Sequence, residues 1–181
     1  MGLFRFDSFD KKYIDLIYKW RRDEKISQYM FSELDNDYQK HVNWFNQISQ
    51  DKSCKYWIIK ANETPIGLIN LASIDVANQR LNAGYYIGEK RYKILGAFPL
   101  PYVYNYVFKK MKFRKIYGEV ISGNKNILKI HEMHGYSKVG VYKDHIKRDE
   151  IYHDVVIVEL LSEKWLSMEK YKNCIADFPF L

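Results

Sequence analysis

An α/β chain of the α+β kind is what this sequence predicts, with a mixed, mostly antiparallel central sheet of about seven strands flanked by helices. Three observations predict it. Some segments carry apolar residues at helical spacing, while others alternate with the two-residue period of a strand. The order of those segments mixes tight hairpins with crossovers through helices, which requires a mixed sheet. The 181 residues, 47% of them hydrophobic, contain no linker-like or repeated stretch. One domain of that length removes roughly 70% of its unfolded surface from water.

Leu3, Phe4 and Phe6 mark a short first strand. Asp10 is the cap of a helix on which Tyr13, Ile14, Ile17 and Tyr18 share a face, ending near Trp20-Arg21-Arg22-Asp23. A second helix is expected over Asn36–Gln50, with Val42, Phe45 and Ile48 inward. Lys55–Lys60 and Pro65–Ala72 are strands separated by the turn signal at Asn62–Thr64, and Arg80–Gly88 completes the meander. Gly96–Lys112 reads as a helix: Tyr102, Val103, Tyr106 and Val107 recur at its spacing, and Pro99 and Pro101 sit in a tolerant first turn. Lys115–Ile121 is a strand and Asn124–His134 a short helix stopped by Gly135. Tyr136–Tyr142 and Ile151–Leu161 are the last strands, joined by the charged segment Lys143–Glu150. Residues 1–165 are thus expected to form the domain, and 166–181 a C-terminal helix end and tail.

Composition narrows the function. Cys54 and Cys174 have no metal-ligand spacing, which argues against a disulfide scaffold or zinc site and suits a reducing cytosol. No segment approaches the roughly 18 apolar residues of a membrane helix, and Met1–Asp7 holds no signal-like apolar run. A cytoplasmic protein with no membrane partner is the expectation. The formal charge of +7 favours anionic ligands such as phosphates and nucleotides. The lysines are spread along the chain rather than massed among aromatics, so no nucleic-acid partner is expected.

The stretch from Glu119 to Tyr136 is the most informative. A strand ends in a polar turn at Asn124, a helix carries His131 seven positions later, and Gly135-Tyr136 leads into the next strand. This resembles the late signature of the GNAT N-acetyltransferases: a Glu-Val strand, an Asn, an aromatic residue seven positions on, then Gly-Phe. Upstream, Tyr85–Phe98 occupies the place of that family's cofactor loop, Arg/Gln-x-x-Gly-x-Gly/Ala. Here Lys93 stands for Arg/Gln, Gly96 matches, and Phe98 replaces the last small residue. The N-terminal half, with Trp20-Arg21-Arg22-Asp23, Met30 and His41 ahead of the Tyr56–Ile59 and Ile66-Gly67 strands, is most similar to the acetyltransferases of bacterial pseudaminic acid biosynthesis. Those enzymes acetylate the 4-amino group of a UDP-linked amino sugar. The similarity covers about residues 1–165, and protein N-terminal acetyltransferases of the ribosomal-protein type share much of the layout.

The resemblance implies the GNAT fold and acetyl-CoA as cosubstrate, held in a gap between the neighbouring strands Asn82–Gly88 and Lys115–Ile121. It implies that a backbone N–H around Tyr86 or Ile87 steadies the oxyanion. It also implies that Arg91, Lys93, Ile94, Gly96, Ala97 and Phe98 surround the pyrophosphate, where backbone N–H groups converge and glycine admits a close approach. Pro99 removes one such N–H, which shifts weight to Lys93 and Arg91. The amine attacks the thioester directly once a base or water relay has deprotonated it. Glu119 is the candidate base, and Asn70 the residue that orients the relay water. His131 stands where relatives carry tyrosine; an imidazole of reference pKa about 6.5 suits hydrogen bonding to, or protonation of, the leaving sulfur. Asn124 is the cap of its helix and a candidate contact to pantetheine.

Arg21, with Arg22, suits the phosphates of a nucleotide sugar through bidentate geometry. Met30 and His41 are candidate walls of the acceptor cleft. No metal is expected: His131 and His134 lie three apart without a third ligand or a His-Glu-x-x-His spacing. A protein N-terminal or other small-amine acceptor, and a catalytically silent acyl-CoA-binding module, stay open beside the amino-sugar reading. The apolar end Asp177–Leu181 suggests packing on a second copy, hence a homodimer.

Overall fold

The computed structural model describes residues 3–32, 37–148 and 150–179. Strands β1 (Phe4–Ser8), β2 (Lys55–Ala61), β3 (Thr64–Asp75), β4 (Arg80–Ile87), β5 (Lys115–Ile121), β6 (Ser137–Arg148) and β7 (Ile151–Leu161) form one sheet in the order β1-β2-β3-β4-β5-β7-β6. Each neighbouring pair is antiparallel except β4 and β5, which run parallel. A parallel pair needs a crossover, and helix α4 (Leu100–Asn105) lies on it.

Alternate side chains along β2 sort the helices by face. Ile58 points to α1 (Ile14–Arg21), α2 (Glu24–Ser27) and α3 (Tyr38–Gln50), where it packs with Leu68, Ile17, Trp20, Ile26 and Phe45. Trp57 and Ile59 point the other way, into a larger core with Leu71, Leu81, Ile116 and Leu160. Val103 and Tyr104 of α4 and Trp165 of α6 (Ser162–Leu166) close that core, and α5 (Lys125–Met133) leans Ile127, Leu128 and Ile130 against it. Ile17, Ile58, Ile59, Leu71 and Leu81 are fully buried, each contributing about 1.5–3 kcal/mol by the transfer scale. Gly135 ends α5 at φ 87°, a conformation that L side chains rarely adopt, and a Cβ there would lie 2.6 Å from Met168.

Four sequence expectations change. The helix expected over Gly96–Lys112 is shorter: a 3-10 turn covers Lys90–Leu95, α4 starts only at Leu100, and a π turn follows over Tyr106–Lys110. Pro99 and Pro101 lack the N–H that an earlier start would have to bond. The segment Lys143–Glu150 is not a connection, because β6 runs to Arg148. Asp154 of β7 holds its bulge, accepting from Lys143 Nζ at 2.8 Å and Asp144 N at 3.1 Å; the charges belong to a solvated hairpin. Helix α3 starts at Tyr38, capped by Asp37, and buries His41 and Phe45, whereas Val42 is only half-buried; Asn36 lies outside the described residues. The first helix is preceded by a 3-10 turn, Lys11–Tyr13, capped by Asp10.

The tail packs on its own chain. Asn105 Nδ2 donates to the carbonyls of Tyr171 (2.8 Å) and Cys174 (2.9 Å), and Trp165 Nε1 donates to Asn105 Oδ1. Phe178 stacks on Phe6 at 4.3 Å, while Trp57 Nε1 donates to the Pro179 carbonyl. The apolar end that suggested a second copy is therefore used, as far as Phe178, inside this chain; Phe180 and Leu181 lie outside the described residues.

Candidate active site

The parallel strands β4 and β5 pair at three positions only: Arg80↔Lys115, Leu81↔Ile116 and Asn82↔Tyr117. Beyond Asn82 each strand keeps only its other neighbour, β3 for Ala83–Ile87 and β7 for Gly118–Ile121. A gap thus opens toward the C-terminal ends of two parallel strands, bordered by backbone groups that have lost their ladder partners.

One of those groups has a definite direction. A Cβ on Gly67 would stand 2.2 Å from the Tyr86 carbonyl oxygen, so that carbonyl points at β3. Peptide bonds are trans here, so the Ile87 N–H points the opposite way, into the gap. The strand then ends in a bulge, with Gly88 N and Glu89 N both donating to the Ile66 carbonyl at 2.8 and 3.1 Å. Of the two N–H groups named from sequence, that of Ile87 faces the gap.

The α1–α3 face of the gap is polar at its centre. Asn70 pairs with Gly84, and a Cβ on that glycine would meet Asn70 Oδ1 at 2.8 Å, so the amide lies over the bare backbone where the strands part. Glu119 is exposed on this same face, since the alternate residues Ile116 and Val120 join the opposite core. Arg21, only 7% exposed, stacks its guanidinium over Trp44 at 4.0 Å and donates from Nη2 to Ser32 Oγ at 3.3 Å. Its Nε is buried without a partner, as are Tyr86 Oη and His41 Nδ1. No described carboxylate neutralises Arg21. Burial holds its guanidinium below the ordinary value and pushes Tyr56 up to about 12. His41, 3% exposed, bonds through Nε2 to the Ile14 carbonyl at 3.1 Å.

Met30 lies on a short strap that follows α2 and reaches the β6–β7 hairpin. Its carbonyl accepts from Arg148 on the β6–β7 hairpin, and the neighbouring Tyr29 ring lies 3.9 Å from where a Cβ of Gly123 would stand. Trp20 anchors the other end: its indole leaves no room for a Cβ at Gly88, and its Nε1 donates to Glu89 at 2.9 Å.

On the opposite face, His131 is 8% exposed with its ring 4.3 Å from that of Tyr136. Burial lowers its pKa to about 4, so the ring is neutral near pH 7. A neutral imidazole offers an N–H to hydrogen-bond. Asn124 caps α5, its Oδ1 accepting from Ile127 N at 3.3 Å.

The loop from Arg91 to Phe98 follows β4, but less openly than expected. Gly96 N donates to Lys93 O at 3.1 Å and Phe98 N to Leu95 O at 3.0 Å, so two of its N–H groups already have acceptors. Arg91, Lys93, Ile94 and Phe98 are exposed, Ala97 is half-buried and Gly96 is buried. Residues that sequence reasoning passed over include Trp44, Tyr56, Arg148 and the Tyr86 hydroxyl. For Tyr56 and Tyr86 the prior signal was the high tyrosine content; Trp44 and Arg148 had none.

Comparison with known proteins follows the same lines. A family model described as the acetyltransferase (GNAT) domain matches residues 5–137. The acetyltransferase PseH of Campylobacter jejuni subsp. jejuni serotype O:23/36 (strain 81-176) is 25% identical over 139 residues, 77% of this chain and 86% of that protein. The PseH of serotype O:2 (strain ATCC 700819 / NCTC 11168) matches with the same identity and coverage. Among solved structures, the spermidine N-acetyltransferase of Vibrio cholerae in complex with CoA and spermine superposes with a TM-score of 0.83 at 18% identity, covering 91% of this chain and 98% of that one. A dodecameric structure of the Vibrio enzyme gives 0.76 at 17% identity, over 92% and 98%. At that identity the likeness is one of fold.

Proposed function

Because the chain belongs to the GNAT family of acetyltransferases, enzymes whose acyl donor is acetyl-CoA, we propose that its acceptor is an anionic amine, most specifically the 4-amino group of a UDP-linked amino sugar of the pseudaminic acid type. Acetyl-CoA supplies an acetyl group activated as a thioester. The chain's own residues fit that donor at one decisive point, the Ile87 N–H directed into the gap between β4 and β5. There it holds the oxygen on which charge develops, a preorganised donor that costs no reorganisation. Asn70 orients a water over Gly84 and Glu119 takes the proton from the acceptor ammonium, which must be neutral to attack. His131 offers a neutral N–H from the far face, and Lys93 and Arg91 supply charge to the donor's pyrophosphate, offsetting the engaged N–H groups of Gly96 and Phe98. Met30 and His41 form walls of the acceptor cleft.

The observation that carries the acceptor class is Arg21. A guanidinium buried on the acceptor face with no carboxylate beside it among the described residues is costly unless the ligand brings an anion. It opposes a polyamine by like charge, which argues against spermidine as the acceptor. The PseH relatives point the same way by name. Incubation with acetyl-CoA and a UDP-4-amino sugar, short peptides or spermidine tests the reading. Consumption of the nucleotide sugar is expected; acetylation of spermidine or peptides alone would sink it. We further propose that the chain acts in the cytoplasm; no helix among the described residues is long and apolar enough to cross a membrane. We also propose a homodimer, tested by light scattering at tens of micromolar, where a monomer would remove the idea.

A further inference from the structure

The sheet face that packs on α1–α3 does so with side chains from β2, β3 and β4. Beyond them, β5 and β7 turn Lys115, Tyr117, Ile157 and Glu159 to the same side, since the alternate residues Ile116, Val158 and Leu160 join the opposite core. A groove of about 410 Å³ lies there, inside the roughly 300–1,000 Å³ of small-molecule sites. Tyr117, Val139 and Ile157 line it with one aromatic ring and two aliphatic side chains. Two cations on its wall are already paired: Arg80 with Asp75 at 3.2 Å and Lys115 with Glu159 at 2.5 Å. Arg114 is not. It lines the groove, is exposed, and forms no ion pair with a described residue. Its main chain is fixed, with the N–H donating to the Gln79 carbonyl at 2.8 Å and the carbonyl accepting from Ser162 N at 2.9 Å. One uncompensated guanidinium therefore stands beside an aromatic and aliphatic wall.

We infer that this groove is a binding site for a small monoanionic carboxylate with a planar, apolar body. Its single charge matches the single unpaired cation, and its two oxygens suit the guanidinium fork of Arg114. The body lies against Tyr117, Val139 and Ile157, where burial and contact with the ring supply the rest of the affinity. A dianion finds no second unpaired cation on the described walls, and a cationic ligand is opposed by Arg114. The site is separate from those of both reactants, for neither Arg21 nor any residue of the Arg91–Phe98 loop lines it. It nevertheless adjoins the gap. Tyr117 forms the last rung between β4 and β5, opposite Asn82, and Glu119 follows on the same face. The site rests on the groove and its charge, whichever amine the chain acetylates.

Heteronuclear NMR of the full chain, titrated with benzoate, tests it. Benzyl alcohol serves as the neutral isostere, and inorganic phosphate as an anion without an apolar body. Three proteins are compared: wild type, Arg114→Glu and Val139→Asp. Each is first checked for an unchanged melting temperature, and Val139→Asp, which sets a like charge on the wall, stands in should Arg114→Glu fold poorly. Benzoate is expected to shift the amide signals of Tyr117, Val139 and Ile157 saturably. Either variant should weaken its binding about tenfold or more, and both control probes should bind more weakly than benzoate. No saturable shift at those three residues, or benzoate affinity unchanged in the variants, overturns the site. Phosphate or benzyl alcohol binding as tightly as benzoate overturns the carboxylate class. Calorimetry with CoA completes the test. An affinity that falls in Arg114→Glu gives the groove to the donor and overturns the inference, whereas wild type that binds benzoate here but no CoA upholds the site and defeats the acetyltransferase mechanism.

Discussion

Ile87 owes its orientation to a residue on the neighbouring strand. Gly67 lets the Tyr86 carbonyl come so close to β3 that the next N–H must face the gap. Gly67→Ala puts a methyl group where that oxygen stands, so β4 has to shift. The expected outcome is a loss of about 1–3 kcal/mol, the range for overpacking, and a fall in kcat of about a hundredfold as the donor turns away. Thermal melts and steady-state kinetics check both. Arg21→Ala is expected to act differently, raising the KM for the acceptor by about 10–100-fold while the KM for acetyl-CoA stays put. The sequence drew attention to Ile87 through the family resemblance and to Arg21 through the Trp20-Arg21-Arg22 run. It did not distinguish Ile87 from Tyr86, because the direction of one peptide depends on a glycine twenty residues away. Nor did it reveal that Arg21 is buried, since arginines near helix ends are ordinarily solvated.

At the scale of elements, the α1–α3 face of the gap is closed by pieces that have no motif. Helix α2 is a single turn, and its continuation through Tyr29 and Met30 passes near Gly123 and is tied to Arg148 through the Met30 carbonyl. Removing the Arg148 side chain is expected to loosen that strap. Amide hydrogen exchange of residues 27–32 in Arg148→Ala should quicken relative to wild type, with a higher acceptor KM and little change in the CoA affinity. Exchange as slow as wild type would show the strap to be held by other contacts. Strong periodicity made most of the strands and α3 and α5 legible. What escaped was the extent of β6, because its charged residues 143–148 read as a loop when they are the wet side of a hairpin. The late start of α4 was half legible: Pro99 and Pro101 marked a first turn, but not the 3-10 turn ahead of it.

The whole molecule stores a pH dependence in its second core. His131 and His134 are both held near pKa 4 by burial, His134 among the rings of Tyr104, Trp165 and Tyr171. Unfolded, each binds its proton with a pKa of about 6.5. Between those values the unfolded chain binds more protons, so stability rises with pH and is lost as pH falls from about 6.5 toward 4. The expected loss is about 3 kcal/mol per histidine at most, read as a falling melting temperature between pH 7 and 4.5. His134→Phe should flatten that slope, and an unchanged slope would assign the acid lability to other groups. The order of the sheet was not readable from sequence, although strand count and mixed character were. Pairing across β4 and β5 depends on contacts more than thirty residues apart, which no local pattern encodes.

The most direct test is a crystal structure of the chain with a non-transferable acetyl-CoA analogue. The acyl oxygen is expected at hydrogen-bond distance, about 2.7–3.1 Å, from the Ile87 nitrogen, with the pantetheine chain between the diverging ends of β4 and β5. A thioester lying elsewhere, or those strands joined by hydrogen bonds along their full length, would contradict it.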